Sequence, residues 1–282
     1  MVKEIKIRSD YFNPKDTLDC GQIFRYYEID KGYLVLSGDK ACILFTQDNS
    51  TVIRCNEEDE IYFTNYFDLQ TDYHAIYQRA QNSDYPVLKK ASDLGKGIRI
   101  LRQNSEEMLY SFLISQNNNI PRIKKSIYLI CERVGERKCF EGHFYYSFPT
   151  SKKMNSMSKE FYNDCGLGYR SEYIKILTEC AVNGLIDRLM CLNSVQIKQE
   201  LLKIKGIGEK VADCVLLFGF HVTESFPVDV WIEKIYKENF NGKLTDRKKI
   251  TEYFINLFGQ DAGYFQQYLF YYKRSLEKKI IK

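Results

Sequence analysis

The stretch KIKGIGEKVADC, Lys203–Cys214, holds the residues of this chain best suited to chemistry. Gly206 and Gly208 flank an isoleucine, and Lys210 follows where a helix would begin. Glycines permit a tight turn that other side chains oppose. They also leave backbone N–H groups uncovered at a helix N-terminus, where phosphate oxygens bind. Such a contact grips a nucleic-acid backbone without reading its sequence; an ordinary interhelical turn is the other reading. A cation is disfavoured at the positive end of a helix. With partial burial, this placement favours the neutral amine over the reference pKa of about 10.4. A neutral lysine is a nucleophile able to form a Schiff base with a sugar carbon; a solvated surface lysine is the alternative. Asp229, in FPVDVWIEKIY, stands nineteen residues further on, at the entry to another helix. An aspartate there serves as an N-cap. A carboxylate so held can also stabilise an oxocarbenium-like sugar cation and shuttle protons.

The elements that must position these groups are segregated along the chain. Residues 22–55 alternate in strand fashion through IFRYYEI, GYLVLSG, ACILFTQ and TVIRC, separated by DKG, GDK and QDNS. This predicts antiparallel hairpins. After about residue 57 apolar residues recur at helical spacing, as in EEMLYSFLISQ and KVADCVLLFGF, which predicts helices. The expected class is α+β: a small, twisted, one-sided antiparallel sheet domain packed on a larger all-helical domain. The boundary is expected near residue 90, giving 1–90 and 91–282, with a helix-hairpin-helix at about 193–219.

Composition sets outer limits. With 282 residues and 44% hydrophobic content, the chain can bury a sizeable core. Its apolar runs, such as CVLLFGF, are too short to span a bilayer. The start MVKEIKIRSDYF carries charges where a signal peptide needs an apolar core, so an intracellular location is expected. Nine scattered cysteines without a CxxC pair read as reduced thiols, not a disulfide frame or an iron–sulfur loop. A net charge of +4 permits nucleic-acid binding without demanding it. The 22 tyrosines and 18 phenylalanines are mostly core, though some can stack on bases.

Five collinear stretches carry a resemblance that runs through nearly the whole chain. LLKIKGIGEKVADCVLLFGF followed by FPVDV is similar to the hairpin, lysine and aspartate of base-excision DNA glycosylases of the helix-hairpin-helix (HhH-GPD) superfamily. DCGQIFRYY, LRQNSEEMLYSFLISQNNNIPRI, GLGYRSEYI and AGYFQQYLF narrow the resemblance to the 8-oxoguanine DNA glycosylase/abasic-site lyases of the eukaryotic type, which also occur in bacteria. The resemblance implies that Lys210 attacks C1′ and expels the base, that Asp229 stabilises the transition state, and that the base is flipped from the duplex. It implies a base pocket made by the Gly21 carbonyl, Cys214, Gln266 and Phe270. Asn117, Arg122 and Arg170 would hold the orphaned cytosine, Tyr169 would wedge beside it, and Gly206 and Gly208 would meet the DNA backbone. The implied partner is double-stranded DNA containing 8-oxoguanine, handled by a monomer without membrane contact, in the bacterial cytoplasm or, for a eukaryotic source, the nucleus. No cofactor or catalytic metal is implied. The carbonyls of Leu202, Ile204 and Ile207 are candidate ligands for a structural monovalent cation. The chain departs from the family pattern at Trp231, where a histidine is usual, at Pro121 and at Lys205. A glycosylase for another damaged base, or a non-catalytic DNA-binding hairpin protein, are the competing readings.

Overall fold

The computed structural model describes residues 1–280. The basic run YYKRSLEKKIIK, a candidate for phosphate contacts in the sequence, ends outside this range, and its side chains are described only as far as Glu277. Strands β1 (Val2–Arg8), β2 (Tyr26–Ile29), β3 (Gly32–Ser37), β4 (Lys40–Gln47) and β5 (Ser50–Asn56) form one antiparallel sheet, ordered β1-β5-β4-β3-β2. Asp48 and Asn49, with φ of 47° and 59°, make the tight turn between β4 and β5, a conformation that Asp and Asn tolerate best among residues with a side chain. Strand β1 extends the sheet beyond the alternating segment, Ile5 standing opposite Ile53.

The sheet is not one-sided. Val35, Cys42, Leu44, Ile53 and Cys55 pack on one face against Phe63, Tyr66 and Phe67 of the helix that follows it. Leu34, Leu36, Ala41 and Ile43 on the other face meet Phe140 and Tyr145. These two aromatics belong to a second hairpin, β6 (Arg137–Phe140) and β7 (His143–Tyr146), set within the segment that helical spacing predicts as all-helical. Its turn is Glu141-Gly142, with φ of 46° and 82°. An exposed sheet face of four apolar residues would be unfavourable in water, and the hairpin covers it. The remaining chain is helical. Among the described residues no helix is long and apolar enough to cross a membrane.

The sheet is fastened to the helices by buried polar contacts. Gln22 is fully buried; its Nε2 donates to Arg99 O at 2.7 Å and Thr17 O at 3.1 Å, while its Oε1 accepts from Leu101 N at 2.9 Å. Arg25, 2% exposed, donates through Nη1 to Glu107 Oε2 at 2.9 Å and through Nη2 to Tyr146 O at 2.6 Å. Glu107 Oε2 also accepts from Gly38 N at 2.7 Å. Burial pushes the Glu107 carboxyl above its usual range, and the guanidinium pulls it back.

Removing one member of such a pair leaves the other buried and uncompensated, whereas an apolar replacement of both is often neutral. Arg25→Met is therefore expected to lower the unfolding free energy by about 3–5 kcal/mol, read by urea unfolding, and adding Glu107→Leu is expected to restore most of it. Without the guanidinium the folded-state pKa of Glu107 rises further. The single variant's deficit is then fully present above that pKa and shrinks as pH falls through it.

Candidate active site

The helix Ser194–Leu202 starts with a reciprocal capping box between Asn193 and Gln196. The chain then turns through Gly206, whose φ is 97° and whose missing Cβ would lie 2.5 Å from the Tyr173 ring. Only glycine meets both conditions. Gly208 is the N-cap of the next helix, Glu209–Gly219, and the space beside it is open. Among the described residues no side chain covers the helix start at Gly208, and the first turn carries Glu209, which pairs with Lys198 at 3.0 Å.

Lys210 is the second residue of this helix and is half-buried. Its Nζ lies 5.7 Å from the centre of the Phe112 ring. Asp229 is the N-cap of the helix Val230–Asn239; its Oδ1 accepts from the N–H groups of Trp231 and Ile232, each at 3.0 Å. Burial raises the Asp229 carboxyl above its usual value, opposed by the Ile232 N–H and then by the charge of Lys210. The two side chains line one small cavity of about 60 Å³. A larger groove of about 1010 Å³ opens over the outer part of the sheet, near Lys15, Tyr33 and Phe45. It contains neither Lys210 nor Asp229, so the smaller cavity is the one that matters chemically.

The walls of the small cavity come from five parts of the chain. Gly21 enters from the sheet domain; Lys210, Cys214 and Phe218 share one face of the second hairpin helix; Pro227 and Asp229 follow; and Gln266, Gln267 and Phe270 belong to the helix Ala262–Ile280. Phe112 closes the cavity, stacked on Phe218 with ring centres 5.4 Å apart. Burial pushes the Cys214 thiol up to about 11, with Lys210 pulling in the opposite direction. Cys214 is therefore a neutral thiol at physiological pH. Gln266 donates through Nε2 to Pro227 O at 3.1 Å, and its buried Oε1 has no hydrogen-bond partner. Gln267 donates to Cys20 O at 2.9 Å and ties the last helix to the Gly21 loop. Phe112, Phe218, Pro227 and Gln267 were not singled out by sequence. The spacing Lys210–Cys214–Phe218 is a usable signal for Phe218, and the three-residue spacing of Gln267 to Phe270 for Gln267.

The residues expected to face the opposite strand form a second group. Asn117 is exposed in the left-handed region, φ 44°, with Nδ2 3.4 Å from Tyr169 Oη. Tyr169 is 51% exposed. Arg122 is also exposed, at the start of a helix capped by Asn119. Arg170 differs from these three: it is buried, and its guanidinium donates to the carbonyls of Gln116, Asn117 and Leu167. Four hydrogen bonds occupy four of the five donors of an arginine. In this arrangement Arg170 shapes the Asn117 loop, with one N–H left over. Gln116 Nε2 donates to Gly206 O and joins this loop to the hairpin. Trp231 lies under Lys234, whose Nζ is 4.8 Å from the indole.

Residues 4–109 match the family model of the 8-oxoguanine DNA glycosylase N-terminal domain. A probable N-glycosylase/DNA lyase of Methanothermobacter thermautotrophicus is 30% identical over 229 residues, covering 74% of this chain and 72% of the relative. The N-glycosylase/DNA lyase of Saccharomyces cerevisiae is 31% identical over 202 residues, covering 66% of this chain and 53% of the relative. The structure of a Clostridium acetobutylicum 8-oxoguanine glycosylase/lyase, in complex with double-stranded DNA containing cytosine opposite 8-oxoguanine, superposes with a TM-score of 0.91 at 36% identity, covering 98% of both chains. With a lysine and a capping aspartate on one cavity wall, and with relatives of this identity and coverage, the chain belongs to the 8-oxoguanine DNA glycosylase family of N-glycosylase/DNA lyases.

Proposed function

We propose that this protein excises 8-oxoguanine, preferably opposite cytosine, and then cleaves the abasic site through a Schiff base on Lys210. The observation that carries this reading is the shared cavity of Lys210, Asp229, Cys214, Gln266 and Phe270. Lys210 Nζ attacks C1′ of a flipped nucleotide, and the bond from C1′ to the base breaks with its electron pair leaving on the base. Asp229, held by two backbone N–H groups, faces the positive charge that develops on the sugar. Its raised pKa makes it a better proton acceptor than an ordinary aspartate, suited to relieving the amine of its proton. The nitrogen then loses its proton as the C1′–O4′ bond opens and the ring oxygen gains one, which gives the imine. The imine acidifies the C2′–H, and passage of that proton to a base in the cavity eliminates the 3′ phosphate oxygen.

Base selection follows from hydrogen-bond polarity. Guanine has an acceptor at N7, whereas 8-oxoguanine carries a hydrogen there. The Gly21 carbonyl accepts from that hydrogen and would face an acceptor in normal guanine, a mismatch worth about 1–3 kcal/mol. The unpartnered Gln266 Oε1 is suited to the N–H donors of the base's Watson–Crick edge. Phe270 and Cys214 supply the two faces between which the ring lies. The cavity of about 60 Å³ holds no more than a few waters, so its lining must shift to admit a purine. A monovalent cation on the Leu202, Ile204 and Ile207 carbonyls would fasten the hairpin; Ile204 O already accepts from Ile207 N at 3.0 Å, leaving its second lone pair.

Borohydride trapping of a covalent complex on 8-oxoguanine duplex tests the nucleophile. Lys210→Gln is expected to abolish trapping while leaving duplex affinity nearly intact; normal cutting by that variant would point to another amine. Asp229 separates structure from chemistry, because asparagine caps a helix about as well as aspartate. Asp229→Asn is expected to keep the unfolding midpoint but slow excision by about 10²-fold or more, whereas Asp229→Ala also loses about 1 kcal/mol of stability. Single-turnover excision of 8-oxoguanine opposite each of the four bases is expected to be fastest opposite cytosine, with Arg122→Ala reducing that preference.

A further inference from the structure

Arg274, four residues beyond Phe270 on the same helix, is a cation beside the base cavity that the mechanism above leaves unused. Its Nη1 stands 3.0 Å from the position a Cβ on Gly21 would occupy, and its guanidinium carbon is 5.5 Å from the centre of the Phe270 ring. Nη2 donates to the carbonyl of Asp19, at the start of the loop that carries Gly21. Nη1 is buried and has no hydrogen-bond partner. The nearby Asp19 carboxylate does not supply one, since its Oδ1 takes the Tyr26 hydroxyl at 2.5 Å and its Oδ2 takes Lys15 at 2.7 Å. A buried guanidinium N–H without an acceptor is costly unless something arrives to accept from it.

We propose that Arg274 is a specificity-determining residue, whose free Nη1–H donates to a carbonyl oxygen flanking the N7–H of the extruded purine. This rests on the reading of Gly21 as the acceptor for N7–H. The lesion presents, side by side, a donor at N7 and a carbonyl acceptor on the neighbouring ring carbon. A backbone carbonyl with a guanidinium N–H next to it is the complementary pair. Gly21 lacks a side chain at the point where one would displace Nη1, and this glycine also adopts a φ of 96°. The second arm of the fork, on Asp19 O, fixes the guanidinium relative to the loop, so that both halves of the pair move together.

The test compares two duplexes with the full-length protein: one with 8-oxoguanine opposite cytosine, one with a preformed abasic site. Strand cleavage at an abasic site needs Lys210 but no base. Arg274→Met is expected to slow excision of 8-oxoguanine at least about tenfold, while abasic-site cleavage stays within about twofold of the unsubstituted protein. Unchanged excision overturns the assignment, and so does an equal loss on both duplexes. Should Arg274→Met not fold, Arg274→Lys removes the fork but keeps the charge and carries the same comparison. An unsubstituted protein inactive on 8-oxoguanine would overturn the proposed function and this inference with it, whereas indifference to Arg274 overturns this inference alone.

Discussion

A guanidinium and a carboxylate, both out of water, hold the sheet domain against the helices: Arg25 on Glu107. The cavity depends on this joint, because Gly21 lies only four residues before Arg25 while its counterparts, Lys210 and Phe270, come from far along the chain. Hydrophobic contact alone is non-directional and tolerates sliding. The buried pair does not, since Glu107 also accepts from Gly38 and Arg25 also reaches Tyr146. Gln22 adds a second fixed point next to Gly21 itself. The ionic joint thus adds direction to the cohesion of apolar packing, which the proposed role of the Gly21 carbonyl as an acceptor would require.

Asp229 shows how one residue can serve fold and chemistry together. Its Oδ1 is committed to two backbone N–H groups, so the carboxylate is oriented before substrate arrives. The energy of ordering it belongs to helix formation rather than to the reaction. Cys214 illustrates the complementary case. Its burial keeps the sulfur protonated and apolar in character, so it offers a polarizable surface without competing with Lys210 as a nucleophile.

What the sequence disclosed divides along physical lines. The Gly206 turn and Asp229 were legible because their positions demand particular residue types, a left-handed φ and a helix cap. Lys210 stands where a cation is disfavoured, and the family resemblance singled it out. The expected strands within residues 22–55 were legible from short β-branched and aromatic runs punctuated by DKG, GDK and QDNS, whereas β1 pairs with a strand far along the chain, Ile5 with Ile53, which no local pattern encodes. The four-residue strands β6 and β7 are too short to outweigh their helical surroundings, although Glu141-Gly142 is a recognisable turn. Phe112 was illegible as a cavity wall because an aromatic residue on a helix looks the same whether it faces a pocket or a core. Arg170 presents the reverse problem: its type suggested an exposed donor, and only coordinates reveal that backbone carbonyls occupy most of its fork.

The bond from the Gln116 amide to the Gly206 carbonyl has a mechanical corollary. The Asn117 loop and the Gly206 turn are thereby joined, and the Lys210 helix is capped by Gly208, two residues beyond the turn. If these two segments meet opposite strands of a duplex, as proposed, a displacement of either is transmitted to the other through one amide, and from there to the helix that carries the amine.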